Sequence, residues 1–186
     1  MSVDSEAFRS AVGHVLDVEG GFSDHQADSG GATHYGITEA LAREHGYTGP
    51  MRDLPQKTAL QIYHDHFWAW MRLDEVHAIA PPVACELFDA GVNVGRRRVW
   101  RWLQRSLNAL NRRERDYDDI AIDGWPGDQS LGALRGYIED RPEGGPVLAS
   151  LLNALQAHHY LTLVEARPKD EAFMYGWVKQ RVLQEA

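Results

Sequence analysis

A single cysteine, Cys85, stands in 186 residues, so no disulfide can form within the chain and stability has to come from packing. Such sparing use of cysteine suits a protein made in a reducing cytoplasm. The opening stretch, MSVDSEAFRSAVGHVLDVEGG, has neither the basic start nor the apolar run of a signal peptide, and no apolar run in the chain is long enough to span a bilayer. The expectation is therefore synthesis in the cytoplasm, with other machinery delivering the protein to any substrate outside it. Low-complexity tracts and internal repeats are missing. Strand signals are nearly absent too, apart from a short extended piece expected at residues 120–122. Positive charge is scarce: the net charge of −8 argues against a general nucleic-acid binder.

What is present is helical periodicity. With 44% hydrophobic residues the chain can fill one substantial core or two small ones. Phe8, Val12, Val15 and Leu16 recur at helical spacing, with Asp4 or Ser5 placed as N-cap and Gly20 and Gly21 as the stop. Thr38 is placed to cap a short helix ending near Gly46. Leu54 and Pro55 introduce a longer helix, with Ala59, Tyr63, Phe67 and Trp70 on its apolar face. Further runs follow, carried by Val83, Leu87, Ala90 and Val94, then by Val99, Leu103, Leu107 and Leu110. Leu131, Leu134 and Ile138 mark a short helix. Leu148, Leu151, Leu155 and His159 mark a long one, and Phe173, Trp177 and Val182 the last. The fold class is all-α.

Residues 19–38, EGGFSDHQADSGGATHYGIT, break this pattern. A long irregular segment without the Pro, Lys and Glu bias of disorder reads as a site. Glu19 falls in the last turn of the first helix, where the negative end of the helix dipole disfavours an ionised carboxyl. That setting suits a proton donor for glycoside hydrolysis. Asp28 or Asp24 is close enough in sequence to supply a second carboxylate. The glycines Gly30, Gly31 and Gly36 allow tight turns, while Thr33, His34 and Tyr35 offer groups for sugar hydroxyls and acetamido substituents. Read on composition alone, the same residues equally describe a helix end followed by ordinary turns.

EGG followed by an aromatic, an aspartate and then DSGGATHYGIT closely resembles the signature of glycoside hydrolase family 108, the N-acetylmuramidases of phage endolysins and related bacterial lysis proteins. The likeness continues through IYHDHFWAW, LFDAGVNVG, LQRSLNAL and AIDGWPGDQSLGAL to FMYGWVKQRV. The resemblance implies a compact lysozyme-like helical fold with the catalytic loop after the first helix. It implies a muramidase region over residues 1–94 and a helical peptidoglycan-binding region over residues 95–186, packed as one globular unit. It further implies cleavage of the β-1,4 bond between N-acetylmuramic acid and N-acetylglucosamine, with Glu19 as catalytic acid and peptidoglycan strands as the partner. Comparison with phage lysozymes adds a Glu, Asp, Thr constellation falling on Glu19, Asp28 and Thr33. Four residues separate Asp28 from Thr33 here, against five in the phage lysozyme pattern.

Beyond the loop, helical spacing already accounts for Tyr63, Phe67 and Trp70 as core. Trp68 lies off that line and is the candidate to stack on sugar. Asp89 and Asn93 share a helix face, and Asn93 is expected to reach substrate or brace the Glu19 loop. Cys85 reads as a buried small residue. His64 and His66, two apart on a helix, point in different directions, and no HExxH motif is present, so neither a metal nor another cofactor is expected. Residues 96–115 hold eight arginines against Glu114 alone, a segment charge of +7 that leaves −15 elsewhere. Arg97, Arg101 and Arg105 line one face, expected to meet either the chain's own acids or an anionic envelope surface, with Trp100 and Trp102 as interfacial anchors. A monomer is expected. Two other readings stay open: a non-catalytic peptidoglycan-binding protein, against which the intact Glu19 motif counts, and a wall amidase or peptidase, which needs zinc or a Cys/His pair.

Overall fold

Ser5 sets the start of the first helix, α1 (Glu6–Glu19), because its Oγ accepts from the backbone N–H of Phe8 at 3.3 Å. In the computed structural model the described residues are 3–19, 21–23 and 32–183, with backbone only at positions 14 and 17–19. By packing they divide into two units, Met1–Ala69 and Trp70–Ala186. The chain is mostly α-helical, as expected, with one small antiparallel hairpin, β1 (Thr33–His34) and β2 (Ile37–Thr38).

In the first unit the hairpin feeds directly into α2 (Glu39–Glu44). Thr38 caps it, its Oγ1 accepting from Leu41 N–H at 3.3 Å, an interaction worth about 1 kcal/mol. A 3₁₀ turn at Met51–Asp53 leads to α3 (Gln56–Ile62), which begins after Pro55 as the sequence indicated. It then passes into a π-helical segment, Tyr63–Ala69. Bonding from i to i+5 moves the buried stripe. Ala59, Tyr63 and Phe67 are buried as expected, but Trp68, five residues after Tyr63, is fully enclosed while Trp70 is only half-buried. Phe8, Val12 and Val15 of α1 are buried. Phe8 meets Trp68 edge-on at 5.6 Å and His64 at 5.3 Å.

The second unit is helical throughout its regular elements: α4 (Leu73–Ile79), α5 (Pro81–Val94), α6 (Arg96–Leu110), α7 (Asp128–Glu139), α8 (Gly144–Ala166) and α9 (Glu171–Trp177), then a π-helical segment Val178–Val182. The sequence pattern did not announce α4, which is one short helix entered from Arg72 in the left-handed region (φ 54). Arg72 holds Glu75 with two bonds of 2.6 and 2.8 Å and reaches Asp128 at 2.7 Å, linking α4 to the start of α7. Residues 120–122 form no strand.

Three expected packing faces are corrected. In α8 the buried line is Leu148, Leu152, Gln156 and Tyr160, because a helix with apolar residues on most of its surface carries little directional signal. Phe173 of α9 is 58% exposed. Cys85 is exposed rather than buried.

After α6 the chain turns sharply. Arg112, Arg113 and Glu114 all adopt positive φ, between 55° and 62°, a conformation that costs an L-residue about 1–2 kcal/mol. The turn is held by side chains. Asn111 accepts from Glu114 N–H at 3.1 Å and donates to Asp119 at 2.6 Å. Asp116 accepts from Arg112 and, at 2.6 Å, from Arg141. These bonds, Arg112 first, hold the Asp116 carboxyl at a pKa of about 2. A carboxyl depressed on folding stabilises the fold above its unfolded value near 4, and that contribution disappears as pH falls towards 2. Thermal melts of Asp116→Asn should therefore show a lower Tm than wild type at pH 7 and a gap that closes between about pH 4 and 2; a gap independent of pH would contradict this assignment.

Candidate functional site

Glu19 is the last residue of α1. Its side chain, like Asp24 and Asp28, lies outside the described residues. The frame around that segment is well defined. Ser23 and Thr33 exchange both backbone hydrogen bonds, at 2.9 and 2.8 Å. Thr33 and His34 then pair with Thr38 and Ile37, and Glu39 N–H donates to the carbonyl of Ala32 at 3.0 Å. The loop bearing Asp24 and Asp28 thus leaves from Ser23 and returns beside it. Tyr35 (φ 52) and Gly36 (φ 71) make the two-residue turn, where left-handed backbone at both positions matches the twist of the strands. Ile37, fully buried, anchors the hairpin.

This arrangement brings Thr33, His34 and Tyr35 together. His34 Nδ1 lies 2.9 Å from the carbonyl oxygen of Met51. A carbonyl only accepts, so Nδ1 carries the proton and Nε2 of the neutral ring is an acceptor. The His34 ring stacks on Tyr35 at 4.1 Å, and Phe22 meets it edge-on at 6.0 Å. Arg52 lies over the Phe22 ring at 5.6 Å. Phe22 is 41% exposed. Phe22 and Arg52 were not picked out from the sequence; the only hint was an aromatic after EGG. Tyr63 donates its hydroxyl to the carbonyl of Tyr35 at 2.9 Å, tying the turn to the π-helical segment.

Trp68 does not join this group. It is 0% exposed, so its ring packs on protein and cannot stack on sugar. Asn93 belongs to the second unit, exposed at the end of α5, where its amide donates to the Asp89 carbonyl at 2.9 Å. Asp89 itself pairs with Arg181. Among the described residues, Glu44, His45 and His66 each offer a donor atom within 4.8 Å of the others, and His45 Nε2 lies 3.2 Å from His66 Nδ1. Spacing along the chain sets His66 beside His64, and this grouping across elements leaves no mark in it.

In the second unit, Trp100 and Trp102 are buried in α6 and cannot anchor at an interface. The aromatic partners of the arginine helix lie elsewhere. Arg97 sits over Trp125 at 4.0 Å, Arg96 over Trp70 at 4.4 Å, and the two indoles are 5.5 Å apart. Gln104, 1% exposed, holds the loop that presents Trp125. Its amide donates to Asp123 at 2.8 Å, to Ser130 at 3.1 Å and to the Trp125 carbonyl at 3.2 Å, while its carbonyl accepts from Gly124 N–H at 2.8 Å. Gly124 has φ 78, and a Cβ there would stand 2.7 Å from the Arg97 carbonyl oxygen, so only glycine fits.

The family model for glycosyl hydrolase 108 matches residues 12–95, and that for a predicted peptidoglycan domain matches residues 98–182. A solved structure, that of Brucella abortus SagA, superposes with a TM-score of 0.67 at 24% identity, covering 93% of this chain and 88% of that one. No match was found among curated proteins. The junction of the family models at residues 95–98 spans Gly95 and the first turn of α6, whereas packing groups α5 with α6 and α8. Removing the phenol that anchors the turn, Tyr63→Phe, should lower unfolding free energy in urea by about 1 kcal/mol; no change would mean the Tyr35 contact is dispensable.

Proposed function

The chain carries a glycosyl hydrolase 108 domain followed by a predicted peptidoglycan domain, and from that premise we propose that it cleaves the β-1,4 bond between N-acetylmuramic acid and N-acetylglucosamine. The observation that supports this most is the backbone closure of Ser23 on Thr33, four residues after Glu19. It holds both ends of an acidic loop beside an exposed aromatic cluster. Glu19 acts as general acid, giving its proton to the glycosidic oxygen as the bond to the anomeric carbon breaks. Asp28, or failing it Asp24, stabilises the oxocarbenium-like charge and takes a proton from the water whose oxygen bonds to that carbon. Thr33 and the Nε2 acceptor of His34 meet hydroxyl and acetamido groups, and Phe22 and Tyr35 offer ring faces to the sugar.

Substrate capture belongs to the second domain. Arg97, Arg101 and Arg105 are all exposed along α6 and draw the protein, a monomer made in the cytoplasm, to the anionic envelope after release by a holin or a secretion apparatus. Lysis of a bacterial wall is the outcome. A second reading, a metal-dependent wall amidase or peptidase, draws on the Glu44, His45 and His66 donor set.

Mass spectrometry of muropeptides released from purified peptidoglycan separates these readings. Wild type should release fragments with new reducing ends, unaffected by chelator, and Glu19→Gln, folded by circular dichroism, should lose at least about a hundredfold in rate. New amino groups with chelator sensitivity would overturn the muramidase reading. Changing Arg97, Arg101 and Arg105 together to Gln should weaken binding to envelopes at low salt and flatten its salt dependence; unchanged binding would remove the arginine face from the account.

A further inference from the structure

The second unit contains a concavity of about 330 Å³ whose lining includes Asn93, Arg98, His159, Tyr160, Arg167 and Trp177. That volume is at the small end of ligand pockets. The lining carries two arginines and no carboxylate. Arg98 donates to the Val94 carbonyl at 3.2 Å and meets His159 Nε2 at 2.9 Å. Among the described residues it has no carboxylate partner. Since a guanidinium only donates, Nε2 accepts and His159 is neutral. Burial first, then Arg98 and Arg167, push the His159 pKa down, in the same sense. Arg167 meets Asp170 through Nε at 3.3 Å.

The apolar wall is braced from behind. Tyr160 and Trp177 lie 5.2 Å apart. Gln156, fully buried, donates to the Tyr160 hydroxyl at 2.8 Å. Trp177 is the last residue of α9, and the segment following it is fastened to α5 by the Arg181–Asp89 pair. Asn153 adds a bond to the Arg181 carbonyl at 3.3 Å. Two cations beside two rings, held from independent helices, suit a small ligand with a carboxylate at one end and an aliphatic body.

We propose that this pocket binds a stem peptide of peptidoglycan, its free carboxylate held by Arg98 and Arg167 and its methyl and methylene groups resting on Tyr160 and Trp177. The proposal rests on the reading of the chain as a wall-acting protein and assigns the second domain the peptide rather than the glycan. Sugar hydroxyls give no reason for Arg98, which faces no carboxylate among the described residues, to stand beside Arg167, whose Nε meets Asp170. A peptide carboxylate does.

Calorimetric titration of the full chain with a free stem tetrapeptide, L-Ala-γ-D-Glu-diaminopimelate-D-Ala, tests this. Binding is expected, weakened about tenfold or more in Arg98→Gln and in a peptide with amidated carboxyls, and accompanied by a change in tryptophan fluorescence that Trp177→Phe diminishes. Retained binding in Arg98→Gln, equal binding of the amidated peptide, full competition by equimolar inorganic phosphate, or preference for N-acetylglucosamine oligomers would each overturn it. The titration does not depend on bond cleavage. Peptide binding without release of reducing ends would leave this proposal standing and count against the muramidase reading, whereas cleavage without peptide binding would do the reverse.

Discussion

The backbone pair between Ser23 and Thr33 is the constraint on which the first unit turns. Two hydrogen bonds close a loop whose ends otherwise belong to a helix and a hairpin. Closure costs little more for a loop of this length than for a shorter one, so a polar, glycine-rich segment can be carried without a core of its own. The hairpin then shares its load outward. Ile37 is buried, Thr38 starts α2, His34 bonds Met51, and Tyr63 holds the turn. The loop is thereby fixed at its ends, Ser23 and Thr33, to rigid elements.

In the second unit, two buried polar side chains, Gln104 and Arg181, tie separate segments together through their partners. Gln104 satisfies both ends of its amide and in doing so orders the loop that presents Trp125. Asp89 and Arg181 pair where Arg181 is only 5% exposed, and removal of either would leave a costly buried charge. The arginine helix is likewise more than a solvated face. Arg96 and Arg97 set their planar cations over Trp70 and Trp125, and Arg97, Arg101 and Arg105 are all exposed along it.

Helix positions were legible in the sequence because caps, prolines and apolar spacing are local signals. Ser5 and Thr38 start helices where their hydroxyls indicated, and the face of α6 carrying Val99, Leu103 and Leu107 is buried as its spacing required. Where the local rule assumed 3.6 residues per turn, it misplaced side chains. The π-helical segment after Ile62 carried Trp68 inward. In α8 the apolar residues on several faces hid the true stripe, Leu148 to Tyr160. The hairpin at Thr33 to Thr38 was missed because two-residue strands have no period to detect, although its left-handed Tyr35–Gly36 turn is written in the residues.

The sequence by itself determined the all-α class, the glycine-rich acidic loop after the first helix, and the resemblance to glycoside hydrolase family 108, since these depend on residue type and short-range order. Tertiary structure decided which rings face solvent and which histidines and arginines share a pocket. Phe22 with His34, His45 with His66, and Arg98 with His159 meet across 12, 21 and 61 positions. Proximity of that kind arises from the packing of separate segments against one another, and no local preference of the chain encodes it.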